Sequence, residues 1–74
     1  MRVHRTRHFI QEQRNDGISD EEIARAWTEP ELDRPSEDHP GARVRTATQP
    51  DGSRVTVVAL QREDVLEFIT TWRS

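Results

Sequence analysis

The stretch RNDGISDEEI, residues 14–23, contains the signals that end one helix and begin another. Gly17 is the residue type that most readily adopts the left-handed conformation after the last turn of a helix, because it has no Cβ. Ser19 and Glu22 have the spacing of a capping box, in which each side chain accepts a hydrogen bond from the backbone amide of the other residue. The stretch therefore predicts a tight corner between two helices.

A helix is predicted on each side of this corner. The first runs over residues 6–16 and is weakly amphipathic, with Phe9 on its apolar side. The second runs over residues 20–28, and its apolar stripe includes Ile23 and Trp27 at the i, i+4 spacing. We expect this stripe to cover one face of a β-sheet.

The remainder of the chain predicts a loop followed by three strands. Residues 29–42, EPELDRPSEDHPGA, are acidic and contain three prolines, so we expect no regular structure there. Beyond them the pattern changes to β-rich segments at 43–48, 54–60 and 65–72, separated by turns. The expected fold is α+β, with two N-terminal helices followed by a three-stranded antiparallel β-meander in two layers.

The composition indicates one small domain spanning residues 1–74. Hydrophobic residues make up 31% of the chain and charged residues 34%, so the core is small and stabilisation by a partner is plausible. There is no cysteine and no apolar run of membrane-spanning length. We expect a cytoplasmic monomer or small oligomer that has no membrane segment and no cofactor.

All eleven basic residues are arginine. This choice has two alternative explanations. One is codon bias in a GC-rich genome, and the other is selection for phosphate binding, because guanidinium groups bind phosphate bidentately. The charges are unevenly placed. Residues 1–14 carry four arginines and one acid, residues 15–40 carry two arginines and nine acids, and residues 41–74 carry five arginines and four acids. The chain is therefore dipolar, with a basic N-terminal segment that is suited to RNA.

Several short motifs together resemble the small-toxin superfamily that includes the RelE and BrnT ribonucleases, and in particular its short uncharacterised relatives. The motifs are His8 in the first helix, Asn15-Asp16-Gly17-Ile18-Ser19 followed by Glu22-Ile23, Pro30-Glu31, Asp51-Gly52 followed by Arg54-Val55-Thr56-Val57-Val58, and Ile69-Thr70-Thr71-Trp72. The resemblance implies a RelE-like fold, metal-independent cleavage of mRNA and a partner antitoxin. Such relatives place arginines four residues after the helix histidine and just before the glycine, where this chain has Glu12 and Asp16.

Metal-independent cleavage requires an acid–base group and fixed positive charge on the phosphorane. His8 is the candidate acid–base residue, with a structural hydrogen-bonding role as its alternative. Arg45 and Arg54 are the candidate catalytic cations, expected on an exposed sheet face where, with Arg43, they converge on one phosphate. The alternative is a solvated face whose arginines pair with carboxylates. Further RNA contacts are expected from Arg5, Arg7, Arg14 and Arg43, and the three dispersed histidines predict no metal site.

Two functions follow from these observations. The first is a toxin-like endoribonuclease that is restrained by an antitoxin covering its basic face. The second is a non-catalytic interaction protein that keeps the scaffold and binds a protein partner through its acidic loop or an open sheet edge.

Overall fold

The computed structural model describes residues 1–74 and contains two helices and five strands. The helices are α1, Arg7–Asn15, and α2, Asp20–Thr28. The strands are β1, Arg2–Arg5; β2, Leu32–Pro35; β3, Arg43–Thr48; β4, Arg54–Arg62; and β5, Val65–Arg73. Neither helix has the length and apolar character that crossing a membrane requires.

Side-chain caps define both helices and the corner between them. The Thr6 hydroxyl accepts a 3.1 Å hydrogen bond from the Phe9 amide and begins α1. Gly17 follows α1 with a φ of 61°, in the left-handed region. Ser19 and Glu22 then form the two hydrogen bonds of the capping box, of 3.1 and 2.9 Å. The predicted corner and both predicted helices are confirmed.

The sheet differs from the predicted meander. Its strand order is β1-β5-β4-β3-β2, and β1 pairs with β5 in parallel while the other neighbours are antiparallel. The fold class is α+β, but the expectation of two N-terminal helices followed by a three-stranded antiparallel meander is wrong. One strand precedes the helices, and the sheet is mixed and five-stranded.

The two strands missed in the sequence are the two edges of the sheet. Both are four residues long and every residue in them is exposed, so neither shows the alternation of apolar and polar residues that marks a half-buried strand. Three of the four β1 residues are basic. The second strand ends at Pro35 within the segment 29–42 that was expected to be irregular. Proline is tolerated at the edge of a sheet, where its missing donor faces no partner strand.

The helices cover only one face of the sheet. Phe9 and Ile23 pack there against the inward-facing residues of β4 and β5, including Val57 and Phe68, and half-buried Trp27 joins this core. Phe9 and Phe68 stack with ring centroids 5.1 Å apart. The Ile23 and Trp27 stripe of α2 therefore covers the sheet as expected.

No helix covers the opposite face of the sheet, which we call the open face. A small cluster of Ala42, Val44 and Val58 is buried there beneath the partly exposed Leu60 and Ile69. The strand register assigns further side chains to the same face, because directly paired residues point to the same side of a sheet. They are Leu32 and Arg34 of β2, Thr46 and Thr48 of β3, Arg54 and Thr56 of β4, and Trp72 of β5.

Candidate functional site

Arg45 is held by three contacts on the helix-covered side of the sheet. It donates a 2.7 Å hydrogen bond to the backbone carbonyl of Trp27. Its guanidinium carbon lies 4.0 Å from the centroid of the Trp27 ring, a cation–π distance. Its Nε lies 3.2 Å from a carboxylate oxygen of Asp33 but makes no well-aligned hydrogen bond. Arg43 also binds this carboxylate, at 2.9 Å. The Asp33 charge thus offsets both arginines.

Arg54 lies on the other side of the sheet. It opens β4 opposite Thr48, whereas Arg45 lies opposite Val57, which packs in the helix-covered core. Successive side chains alternate between faces, so Arg54 and Val57, three positions apart in β4, point to opposite sides. The predicted convergence of Arg43, Arg45 and Arg54 on one phosphate is therefore wrong, because the hairpin register separates them.

The side chain of His8 is exposed on α1 and makes no hydrogen bond to another residue. The helix that carries it packs on β5, whereas Arg45 belongs to β3, with β4 between those strands. His8, Arg45 and Arg54 consequently occupy three separate places. Their proposed catalytic roles stay predictions, but the structure does not bring the three residues together.

The other predicted RNA contacts lie largely together. Arg7, Gln11 and Arg14 are exposed at the i, i+4 and i+7 positions of α1, which align along one side of a helix. Arg5, at the end of β1, and Arg14 line the same shallow groove. We call the surface formed by Arg5, Arg7, Gln11 and Arg14 the basic α1 face. Arg43 lies away from it, on β3, the strand next to the opposite edge of the sheet.

The basic α1 face contains little compensating negative charge. Arg7 and Arg14 have no carboxylate within ion-pair distance, and Arg5 has only exposed Asp20 at 3.6 Å. The first turn of α1 contains no acid, so the positive end of the helix dipole is also uncompensated. His8 follows Arg7, about 100° further around the helix. This surface is suited to holding phosphate groups.

A polar network that sequence reasoning missed joins the helical corner to the end of β5. Arg73 donates two 2.8 Å hydrogen bonds to the carboxylate of Glu22 and one of 2.9 Å to the carbonyl of Gly17. It also donates one of 2.7 Å to the hydroxyl of Ser53. The hydrogen bonds from Arg73, followed by the one from the Ser19 amide, lower the pKa of Glu22 to about 2.

This network also includes Asp16, one of the two acids that depart from the toxin-like sequence pattern. Its carboxylate accepts a 3.3 Å hydrogen bond from the Arg73 amide. Its backbone carbonyl accepts another, of 3.4 Å, from the Arg73 side chain. Asp51 lies 3.8 Å from the same guanidinium, and hydrogen bonds from Ser53 lower the pKa of its carboxyl group. These acids therefore hold the C-terminal strand against the corner.

No three histidine, aspartate or glutamate side chains lie close enough together to hold a metal ion.

The fold and surface together describe a small two-layer α+β protein with one basic helix and one uncovered sheet face. Residues 5–73 match the model of a family described as a domain of unknown function, DUF4258, and the chain belongs to this family. No curated protein and no solved structure gives a significant match. The family description names no activity, so the similarity to RelE and BrnT toxins stays a prediction.

Proposed function

We propose that this protein is a small toxin-like regulator that binds single-stranded RNA through the basic α1 face. The observation that carries the proposal is the alignment of Arg7 and Arg14 on the solvent side of α1 with no carboxylate partner. Two such cations on one helix side favour a phosphate chain, because most of the affinity for nucleic acid comes from phosphate neutralisation.

Three further features support RNA as the ligand. Gln11 lies between the two arginines and supplies a side-chain amide for sugar or base contacts. Arg5 extends the cationic surface from the helix to the edge of the sheet. The acidic residues are concentrated in the segment 15–40, so the overall charge of −3 does not describe the potential near α1.

Binding is favoured over cleavage as the activity of this surface. Acid–base catalysis of phosphodiester cleavage needs the histidine and the cation within hydrogen-bond reach of one phosphate. His8 is separated by β4 and β5 from Arg45, whose guanidinium is engaged by Trp27 and Asp33. We therefore expect purified protein to bind RNA and leave it intact in EDTA and in magnesium.

The proposal is tested by titrating a fluorescein-labelled, unstructured RNA of about 12 nucleotides and following anisotropy at several salt concentrations. Each phosphate contact to a single strand contributes about 0.7 to the slope of log affinity against log salt. The double variant Arg7→Ala, Arg14→Ala should lower this slope by about 1.4. The single variant Arg25→Ala is the control for loss of an arginine outside the basic α1 face, because Arg25 is an exposed arginine of α2 without an ion pair.

Equal slopes for the wild type and the double variant would show that α1 does not hold the RNA. The same reactions are analysed on a sequencing gel. Fragments that appear with wild-type protein and disappear with His8→Ala would restore the expectation of a metal-independent endoribonuclease and reject the non-catalytic proposal.

A further inference from the structure

We propose that the open face is a docking site for an acidic amphipathic helix of a partner protein. The site lies between Leu32 and Trp72, the two most exposed large apolar side chains on this face, at 56% and 38% exposure. It is independent of RNA binding, because the basic α1 face lies on the helix-covered side of the sheet.

The strand register gives the width of the site. Leu32 lies opposite Thr46, Thr46 opposite Thr56, and Thr56 opposite Trp72, so the four residues form one row across four strands. Three strand spacings amount to about 14 Å. An α-helix with its side chains is about 10 to 12 Å in diameter, so a helix lying over β3 and β4 is wide enough to contact the apolar side chains at both ends of the row.

The floor between these ends is formed by two small side chains, the half-buried Thr46 and the buried Thr56. Their hydroxyl groups are hydrogen-bonded to each other at 2.8 Å, so each threonine has used part of its hydrogen-bonding capacity. Val44 and Val58 form the next row, and the partly exposed Leu60 and Ile69 that pack against this buried cluster supply the accessible apolar surface there. A helix that packs on such a surface brings apolar residues at the i, i+3, i+4 and i+7 positions.

The arginines beside the floor favour an acidic partner, and the Glu31 carboxylate near Arg54 is already hydrogen-bonded to the amide and hydroxyl of Thr48. Arg34 lies opposite Val44 at the β2 edge, and Arg54 precedes Thr56 by two positions at the other end of the site. Neither arginine has a carboxylate within ion-pair distance, unlike Arg43 and Arg45 on the covered side. Glutamates flanking the apolar stripe of a docked helix would pair with both arginines and would fix the orientation of the helix.

A second copy of this chain is a poorer occupant. Face-to-face packing of two open faces would place Arg34 and Arg54 of both copies in one interface. This concentration of like charge disfavours the association. Neither helix of the chain has the required character either, because each already packs its apolar side on its own sheet.

The test uses a stapled helical peptide of about 14 residues, roughly four turns, with leucines on one stripe and glutamates beside it. A second peptide has lysine in place of every glutamate. Each peptide is titrated into isotope-labelled protein, and amide and indole NMR signals are followed. We expect the acidic peptide to shift the Trp72 indole and the amides of β3 and β4, and to bind about tenfold more tightly than the basic peptide.

The variant Trp72→Thr keeps a β-forming residue and should weaken the acidic peptide about tenfold, as removal of an aromatic anchor does. The double variant Arg34→Glu, Arg54→Glu should reverse the preference between the two peptides. Arg25→Glu on α2 is the control for a charge reversal away from the open face and should leave both affinities unchanged. The RNA-binding variant Arg7→Ala, Arg14→Ala should likewise bind the peptide normally, which separates this inference from the proposed function.

Shifts confined to α1, or equal binding of the two peptides, would overturn the proposal. A wild-type dimer in sedimentation that Trp72→Thr dissociates would identify a second copy as the occupant instead. A loss of RNA affinity in Trp72→Thr, with no peptide binding in the wild type, would assign the face to RNA. If Trp72→Thr fails to fold, the NMR map of the wild type and the two-peptide comparison still decide the question.

Discussion

The carboxylate of Glu22 accepts two hydrogen bonds, each of 2.8 Å, from the guanidinium of Arg73. The same carboxylate accepts the Ser19 amide at 2.9 Å, so one side chain both caps α2 and binds the end of β5. The two residues are 51 positions apart in the chain, and only about a fifth of each side chain is exposed. Their ion pair joins the helical layer to the sheet.

This pair makes stability depend on pH in the acid range. The pKa of Glu22 falls from 4.5 to about 2 because Arg73 and the Ser19 amide stabilise the carboxylate. A lowered pKa in the folded state contributes stability that is complete above about pH 5 and is lost as the pH falls towards 2. Urea melts at pH 7, 4 and 3 should therefore show a falling unfolding free energy. At pH 7 the unfolding free energy of Glu22→Gln should be about 1 kcal/mol lower than that of the wild type. In acid it should fall less than the wild-type value does.

Glu21→Gln is the matched control for this prediction, because Glu21 is exposed in the same helical turn and its carboxylate makes no hydrogen bond. It should follow the wild-type pH profile. If Glu22→Gln and Glu21→Gln give the same curve, the ion pair with Arg73 contributes no measurable stability.

Gly17→Val should destabilise the corner. A β-branched residue at a φ of 61° is strained by roughly 1 to 2 kcal/mol, although no atom lies within 4 Å of the position where its Cβ would be. The cost is therefore conformational and not a clash. Gly17→Asn, a residue type that tolerates this conformation, should lose less. Equal urea midpoints for the valine and asparagine variants would contradict the role of backbone strain.

Ser19→Ala should lower the unfolding free energy by about 1 kcal/mol, because the Glu22 amide loses its side-chain acceptor at 3.1 Å. Ser19→Thr keeps a hydroxyl and should be close to the wild type. A thermal melt resolves the difference, since about 1 kcal/mol corresponds to a shift of roughly 4 to 8 °C in a domain of this size. If the alanine variant has the same melting temperature as the threonine variant, the cap contributes no stability.

The elements that sequence reasoning predicted well are those whose signals are local. The corner depends on Gly17 and on the spacing of Ser19 and Glu22, all within six residues, and the helices on each side follow from it. Strands β3, β4 and β5 carry the β-branched and aromatic residues that favour strands. In these segments local preference and tertiary structure agree.

The missed features depend on contacts between distant residues. The first strand is held by parallel pairing with β5, for example Val3 with Leu66. The sequence of β1 itself gives no signal for this pairing. The second strand is fixed by Asp33, which binds Arg43 and Arg45. The candidate site was misjudged for a similar reason, because the face on which Arg54 lies follows from the hairpin register.

Arg45 and Arg54 were both expected on an exposed sheet face, and their different environments give a final prediction. The Arg45 side chain is 27% exposed and binds the Trp27 carbonyl, the Trp27 ring and Asp33. Arg45→Ala should therefore lower the unfolding free energy by about 1 to 2 kcal/mol through the lost charged hydrogen bond and cation–π contact. Arg54 is exposed and makes no side-chain contact of this kind, so Arg54→Ala should stay within about 0.5 kcal/mol.

Urea melts of the two variants compare arginines on adjacent strands and opposite faces of the same sheet. Arg45→Lys is the informative third variant, because lysine keeps the charge but lacks the planar fork that reaches the carbonyl and stacks on the ring. It should recover only part of the loss. Equal stability of Arg45→Ala and Arg54→Ala would mean that the Trp27 contacts contribute nothing, and would leave Arg45 free to act on a ligand as the resemblance to toxins implies.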